Sequence, residues 1–225
     1  MQSIYQQALG ADFDRLHPRI RDRFGFKSSS GIACIGQGEM DEIWFHRAAS
    51  IPLALGARRH LMFPQRGVSI PFTVHNYAYK DQYGRETVSW VRKFRFPGRI
   101  RQFDATMVYS EGRQRIVDYL GNRQHLAVDL ELAADSRGGI CIRSGEQRFY
   151  EGPLQFRWPA WLTGSAEVCE WFDEEIDRFR IEVKVTSPLL GPVFRYSGSF
   201  VERFISCSAS SIPLEIRPLR EECRE

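Results

Sequence analysis

The chain has 225 residues, of which 43% are hydrophobic and 13% are aromatic. That is enough apolar material for one large domain or two small ones, and it excludes a disordered chain. The net charge of +3 is too small to indicate nucleic acid or an anionic membrane as the partner.

The predicted helices lie in the first 64 residues. Ser3 and Gln6 form a capping-box pattern at the start of a short helix, which Gly10 ends. A second short helix is indicated by apolar residues spaced three, four and four apart: Phe13, Leu16, Ile20 and Phe24. A first strand follows at residues 32–45. Residues 51–64 then predict a short helix that covers the end of a sheet, with three residues on its polar side: Arg58, Arg59 and His60.

From residue 71 onward the pattern is that of consecutive β-strands. Residues 71–80 and 87–96 form a hairpin, because the DQYG sequence between them suits a type I turn with a bulge. No later connection is long enough for a helical crossover, so roughly eight to ten antiparallel strands follow one another.

The predicted fold is mainly β (α+β). That many adjacent strands tend to close, so we expect an antiparallel β-barrel or strongly curved sheet of about eight to ten strands, with short N-terminal helices. A helix-grip α+β fold with a long C-terminal helix is the alternative. Residues 1–205 form a single domain in this prediction, and the polar tail, residues 206–225, is expected to pack loosely.

The cysteines and the N-terminus favour a reduced, cytoplasmic protein. The first residues lack the pattern of a signal peptide, and no stretch approaches the length of a transmembrane helix. Five cysteines at scattered positions, without C-x-x-C spacing, predict five free thiols: Cys34, Cys141, Cys169, Cys207 and Cys223. The last two lie in the tail and should react fastest.

Arg92 gives the clearest indication of a site. In residues 87–96 it lies on the apolar face of the strand, together with Val88, Trp90, Phe94 and Phe96. An unpaired charge is costly to bury, so Arg92 requires an anionic partner. That partner is either the acidic group of a ligand or one of three carboxylates of the protein: Asp104, Asp118 or Asp129.

The turn before Arg92 decides which side chains lie beside it. With a bulged turn its neighbours are Val74, Asn76 and Ala78, whereas a two- or four-residue turn brings His75, Tyr77 and Tyr79 to the same face. The candidate ligand-binding residues of this region are therefore Arg92, Trp90, Asn76, His75 and Tyr77.

Four further candidates precede or follow a Gly-Pro turn. Arg148, Tyr150 and Glu151 precede the turn and form either a local ion pair or part of a site. Residues 153–162 resemble an irregular apolar flap, in which Trp158 lies near Phe156 and Trp161. The flap either covers the mouth of a barrel or fills its core.

His125 and Asp129 are candidates for catalysis. They lie four residues apart on one side of a strand, so they could act as a general base and its orienting carboxylate, and Glu151 is a further catalytic candidate. The apolar residues occupy the opposite side of that strand, which also fits a solvated outer face.

Common cofactor and metal motifs do not occur in the sequence. It has no P-loop, dinucleotide fingerprint or zinc-protease motif, and its five histidines lie in separate segments, so we expect no cofactor and no metal. Nucleic acid is not expected either, because strand alternation scatters the basic residues of RKFRFPGRIR over two faces.

Several spaced motifs together resemble one family. They include SIYQQALGADFDRLHPRIRDRFGF, PFTVHNYAYKDQYGRETVSWVRKF, QHLAVDLEL and PLLGPVFRYSGSF. These resemble an uncharacterised bacterial family, domain-of-unknown-function family 4166, and look like the soluble C-terminal domain of YndJ-like membrane proteins. The likeness extends to about Phe204. It implies association with a membrane protein or a saccharopine-dehydrogenase-like reductase, but no transferable activity.

Three functional hypotheses follow. The first is a β-barrel that binds an apolar or amphipathic small molecule with an anionic end, such as a lipid-like ligand. The second is an enzyme on the same scaffold, an isomerase, cyclase or hydrolase that uses His, Asp or Tyr as acid and base. The third is a regulatory partner of a membrane protein or reductase, which a filled barrel without a cavity would favour.

Overall fold

The computed structural model describes residues 2–159 and 163–225 of the chain. The strands within these ranges are β1 (Ile32–Phe45), β2 (Gly67–Lys80), β3 (Glu86–Phe96), β4 (Arg99–Ser110), β5 (Arg115–Leu120), β6 (Leu126–Ala134), β7 (Ile140–Glu151), β8 (Leu154–Arg157), β9 (Ser165–Asp173), β10 (Arg178–Ser187) and β11 (Gly191–Ser206). The helices are α1 (Ile4–Leu9), α2 (Pro18–Gly25) and α3 (Ser50–Ala57).

The strands form one antiparallel sheet, and ten of those described close into a barrel. Closure occurs because β1 pairs with β11 at one side, while β7 pairs with both β6 and β9 at the other. β8 pairs with β7 alone and extends outside the barrel. The predicted mainly-β barrel is confirmed, and the helix-grip alternative is wrong, since β10 and β11 occupy the region of its long C-terminal helix.

Local sequence explains the helix positions. Ser3 and Gln6 make the predicted capping box of α1, and Pro18 occupies the first turn of α2. α3 begins one residue before the predicted segment and ends at Ala57, so Arg59 lies beyond the helix. Among the described residues, no helix is long and apolar enough to cross a membrane.

The two ends of the barrel are closed by different segments. At one end Tyr5 and Phe24 pack against the ring of Trp90, with centroid distances of 6.5 and 5.7 Å. At the other end Phe63 is fully buried against several rings, including that of Phe94 at 5.1 Å. The space between these two plugs is the interior of the barrel.

The C-terminal tail packs closely against the outside of the barrel. Ile212 and Ile216 are 9% and 3% exposed and cover an apolar strip that includes Tyr77 and Val91. Farther along, the amide of Glu222 donates to Gln124 at 2.6 Å. The expectation of a loosely packed tail is wrong, because two apolar side chains of the tail, Ile212 and Ile216, pack against this strip.

Two cysteines form a disulfide. Cys141 on β7 lies directly opposite Cys169 on β9, and their sulfurs are bonded. The prediction of five free thiols is therefore wrong for this pair. A separation of 28 residues concealed it, since only the register of the closing strands brings the two together. Cys34, Cys207 and Cys223 are free.

This arrangement predicts a specific thiol count. Titration in denaturant without reductant should find three free thiols, and reduction should raise the number to five. In the folded protein Cys207 and Cys223 should react with a thiol reagent. Cys34 should react only after unfolding, because it is fully buried and burial raises the pKa of its thiol to about 12. Five thiols without reductant would contradict the pairing.

Candidate functional site

The barrel interior contains a chamber of about 150 Å³. Its lining is mostly apolar and includes Met107, Leu120, Val128, Leu130, Val168 and Val183. Two charged side chains also face it, Arg92 from β3 and Asp118 from β5. A dry pocket with a few convergent polar groups is the usual form of a small-molecule site.

Arg92 points inward, as predicted. The turn at 81–85, in which Gly84 has a φ of 78°, places Val74 opposite Arg92 and Asn76 opposite Trp90, so the bulged-turn register is correct. Arg92 is 4% exposed, and its guanidinium stacks over the ring of Phe103 at 3.9 Å.

The guanidinium of Arg92 has no carboxylate partner among the described residues. Its Nε donates to the carbonyl oxygen of Phe103 at 3.3 Å and its Nη1 to the hydroxyl of Tyr196 at 3.4 Å. Asp104 instead lies 2.6 Å from His60, and Asp129 binds Arg148. The buried ion pair considered from the sequence is thus not formed, and part of the donor capacity of Arg92 faces the chamber.

Asp118 shares the chamber with Arg92 but forms no ion pair with it. It is 8% exposed, and its Oδ1 has no hydrogen-bond partner within the described ranges. Burial raises the pKa of Asp118 to about 7, although the positive charge of Arg92 opposes this rise. The carboxyl group can therefore act as a hydrogen-bond donor or acceptor near neutral pH.

A second pocket of about 450 Å³, the vestibule, adjoins the chamber. Both are lined by Leu120, Leu126, Gln147 and Gly164, so these residues form a neck between them. The vestibule is otherwise lined by Arg59, Leu61, Arg123, His125, Phe149, Glu151, Trp158 and Thr163. The shared residues place the vestibule directly beside the chamber.

His125 does not pair with Asp129, contrary to the prediction. Its Nδ1 lies 2.8 Å from Glu151, and its Nε2 lies 3.0 Å from Nη1 of Arg59. Nδ1 also lies 3.2 Å from Nη1 of Arg220, so a guanidinium group approaches each of the two ring nitrogens. Asp129 lies on the outer face of β6, between Arg148 and Arg113. The apolar residues of β6 face the chamber, so Asp129, on the opposite face of the strand, lies among the charged residues outside the barrel.

The remaining candidate residues are distributed over three regions. Trp90 lines the chamber and Trp158 the vestibule, where 39% of its surface is exposed. Asn76 points inward but binds Arg23. The side chains on the outer face of the barrel are His75, Tyr77, Arg148 and Tyr150. His75 and Tyr77 therefore do not share the face of Arg92, and Arg148 forms a local ion pair with Glu146, the alternative to a site.

The predicted flap is partly regular. Residues 154–157 form β8, and Phe156 is 38% exposed beside Trp158, so this segment does not fill the core. Trp161 lies outside the described residues.

A buried charge cluster near the N-terminal plug was not anticipated. Arg23 from α2 contacts the carboxylates of Glu170 and Glu202, and all three side chains are at most 7% exposed. It also donates to the sulfur of Cys34 at 3.1 Å and to Asn76 at 3.3 Å. The sequence contained an indication that Arg23 is buried, because Arg23 precedes Phe24 and lies three residues after Ile20, on the apolar side of the helix.

Other site residues gave weaker signals. Asp118 was considered only as a partner of Arg92, since β5 is apolar on both faces and alternation does not distinguish its inward residues. Arg59 was placed on the polar side of a helix, and Arg123 lies in a turn. Only the folded chain brings these two to one pocket.

The fold and the chamber define a closed antiparallel β-barrel with a mostly apolar interior chamber. The chain belongs to the family described as Domain of unknown function (DUF4166), whose model matches residues 16–200. The chain is 36% identical over 203 residues to "Uncharacterized protein YndH" of Bacillus subtilis (strain 168). The aligned region covers 90% of this chain and 98% of that protein. No solved structure matches it significantly. The chamber and vestibule residues all lie within the matched range.

Proposed function

We propose that this chain binds an amphipathic small molecule with an anionic end inside its barrel. The observation that carries the proposal is a largely apolar chamber into which Arg92 points without a carboxylate partner in the described structure. A buried arginine with unused donors provides a bidentate site for a carboxylate or phosphate.

The size of the chamber limits what enters it. A dry engineered cavity of about 150 Å³ holds a benzene molecule. The chamber of this barrel is of that size, so it accepts a single ring or a short alkyl segment. A longer, lipid-like ligand would extend through the neck at Leu120 and Leu126 into the vestibule.

Asp118 supports an enzyme as the second candidate. A carboxyl group whose pKa lies near 7 inside an apolar pocket can donate or accept a proton at neutral pH. In this reading Asp118, rather than His125 with Asp129, is the general acid or base. Replacing Asp118 by Asn should then abolish turnover of the bound compound while binding persists. A regulatory role as the partner of a membrane protein or reductase is a third proposal. It is supported less well, because a barrel without an interior chamber would favour it and this barrel has one.

Native mass spectrometry of the purified protein tests the proposal directly. We expect a co-purifying species whose mass fits an acidic compound, lost on denaturation. Repeated preparations without a bound species, combined with no uptake of small aryl or alkyl carboxylates, would refute a binding role.

The Arg92→Met variant should separate binding from folding. We expect its affinity for a probe such as benzoate to fall by roughly 2–5 kcal/mol, the scale for truncating one partner of a buried charge pair. The free energy of unfolding should change by less than about 1 kcal/mol, since no internal carboxylate loses a direct partner. Calorimetric titration and urea unfolding measure the two quantities.

Arg95→Met is the matched control, because Arg95 is exposed on the other face of the same strand. It should leave both quantities unchanged. Unaltered benzoate affinity in Arg92→Met would rule out Arg92 as the anchor.

A further inference from the structure

The vestibule carries an excess of positive charge at its rim. Arg123 is exposed and has no ion pair or hydrogen bond within the described ranges. Arg59 is also exposed, and the only side chain hydrogen-bonded to its guanidinium within those ranges is that of His125. Their remaining donors are free for a ligand.

Among the described lining residues, a single carboxylate faces the two arginines, and it does not neutralise them. Glu151 lies 2.8 Å from Nδ1 of His125 and 3.9 Å from Nη1 of Arg220, a tail residue that also pairs with Glu222. Its charge is therefore already shared, and neither Arg59 nor Arg123 is within ion-pair distance of it.

The backbone holds Arg59 at the rim. Its carbonyl oxygen accepts from the amide of Asn122 at 3.0 Å, and the next residue, His60, binds Asp104 at 2.6 Å. Gly121 permits this approach, because a Cβ there would lie 2.5 Å from the carbonyl oxygen of Arg59. The φ of Gly121, 78°, also suits glycine. The turn that carries Arg123 is thus fastened to the segment that carries Arg59.

Apolar surface connects this rim to the chamber. Leu61, Phe149 and Trp158 line the same vestibule as the two arginines and the residues of the neck. A charged group held at the rim would leave an attached apolar chain pointing along this surface toward Leu120 and Leu126.

We propose that the vestibule is a second anion-binding subsite, formed by Arg59 and Arg123, for a phosphate or carboxylate group. His125 positions Arg59 and does not itself contact the anion in this scheme. The subsite stands independently of the chamber. Its further role rests on the proposed function: it captures the acidic group of an amphiphile at the entrance, before that group reaches Arg92.

Inorganic phosphate is the first probe, and its binding is monitored by NMR of the backbone amides. We expect saturable shifts at Arg123 and Gln124, and an affinity about fivefold weaker in either Arg123→Gln or Arg59→Gln, the effect of one exposed charge pair. Arg203→Gln, on the exposed face of β11, is the control and should bind as the wild type does. Arg92→Met should also bind phosphate normally, because its change lies in the chamber.

Phenyl phosphate is the second probe, and it distinguishes a free anion from an amphiphile. Tighter binding than inorganic phosphate, together with a shift of the indole resonance of Trp90, would support entry of the ring into the chamber. Absence of saturable phosphate shifts at the rim, or equal shifts in the Arg59 and Arg123 variants, would overturn the subsite. Normal phosphate binding without any gain from the phenyl group would preserve the subsite and count against the amphiphile-binding function.

Discussion

Replacing Arg23 with methionine is expected to lower the free energy of unfolding by about 3–5 kcal/mol at neutral pH, the cost of removing one partner from a buried ion pair. Methionine keeps the length of the side chain but leaves Glu170 and Glu202 without their cation. Arg92→Met provides the comparison, since Arg92 is equally enclosed but has no ion pair in the described structure. Urea unfolding measures both variants.

The loss in Arg23→Met should depend on pH. Burial raises the pKa of Glu170 and of Glu202, and the charge of Arg23 opposes this in the wild type. Without Arg23 the two carboxyl groups hold their protons to higher pH, so the variant should lose stability as the pH rises. The deficit is therefore smaller at pH 5 than at pH 8.

Adding Glu170→Gln and Glu202→Gln to Arg23→Met should restore part of the stability, because neutral amides need no cation. A pH-independent loss below about 1 kcal/mol in the single variant would show that the cluster is not an ion-pair network.

The Asp118→Asn variant should become progressively more stable than the wild type as the pH rises from about 4 to 7. In the unfolded chain Asp118 ionises near its ordinary pKa of 3.8, whereas in the barrel it stays protonated up to about pH 7. The folded protein binds the extra proton across this window, so the stability contributed by Asp118 is complete below pH 4 and is lost by pH 7. Asparagine removes that loss.

The difference should reach the order of 4 kcal/mol above pH 7, because burial raises the pKa of Asp118 from 3.8 to about 7. Asp14→Asn serves as the control, because Asp14 is exposed on the surface and its variant should show no such trend. Thermal and urea unfolding across this pH range provide the measurement. Parallel stability curves for wild type and Asp118→Asn would mean that the carboxyl group is solvated and not enclosed in the chamber.

Much of the fold could be predicted from local patterns. The period-two alternation of β3, from Val88 to Phe96, identified both the strand and its inward face. The turn residues of 81–84 indicated a hairpin, and the capping box at Ser3 located the first helix. These signals are local, since neighbouring residues alone produce them.

The candidate site could be predicted only in part. Arg92 and Trp90 line the chamber, but Arg148 and Tyr150 proved to face outward beneath the tail. The predicted partner of His125 was wrong because a spacing of four along a strand gives a common side and does not guarantee contact. Glu151 reaches His125 from the neighbouring strand instead.

The sequence by itself determined the class of structure and the direction in which Arg92 points. Tertiary structure alone decided that, among the residues described, Arg92 has no carboxylate partner while Arg23 has two. It also decided that Cys141 meets Cys169 and that Arg59 and Arg123 share a vestibule. The physical reason is that alternation specifies which face a side chain occupies. The neighbours across the barrel depend on strand register and closure, which involve residues far apart in the chain.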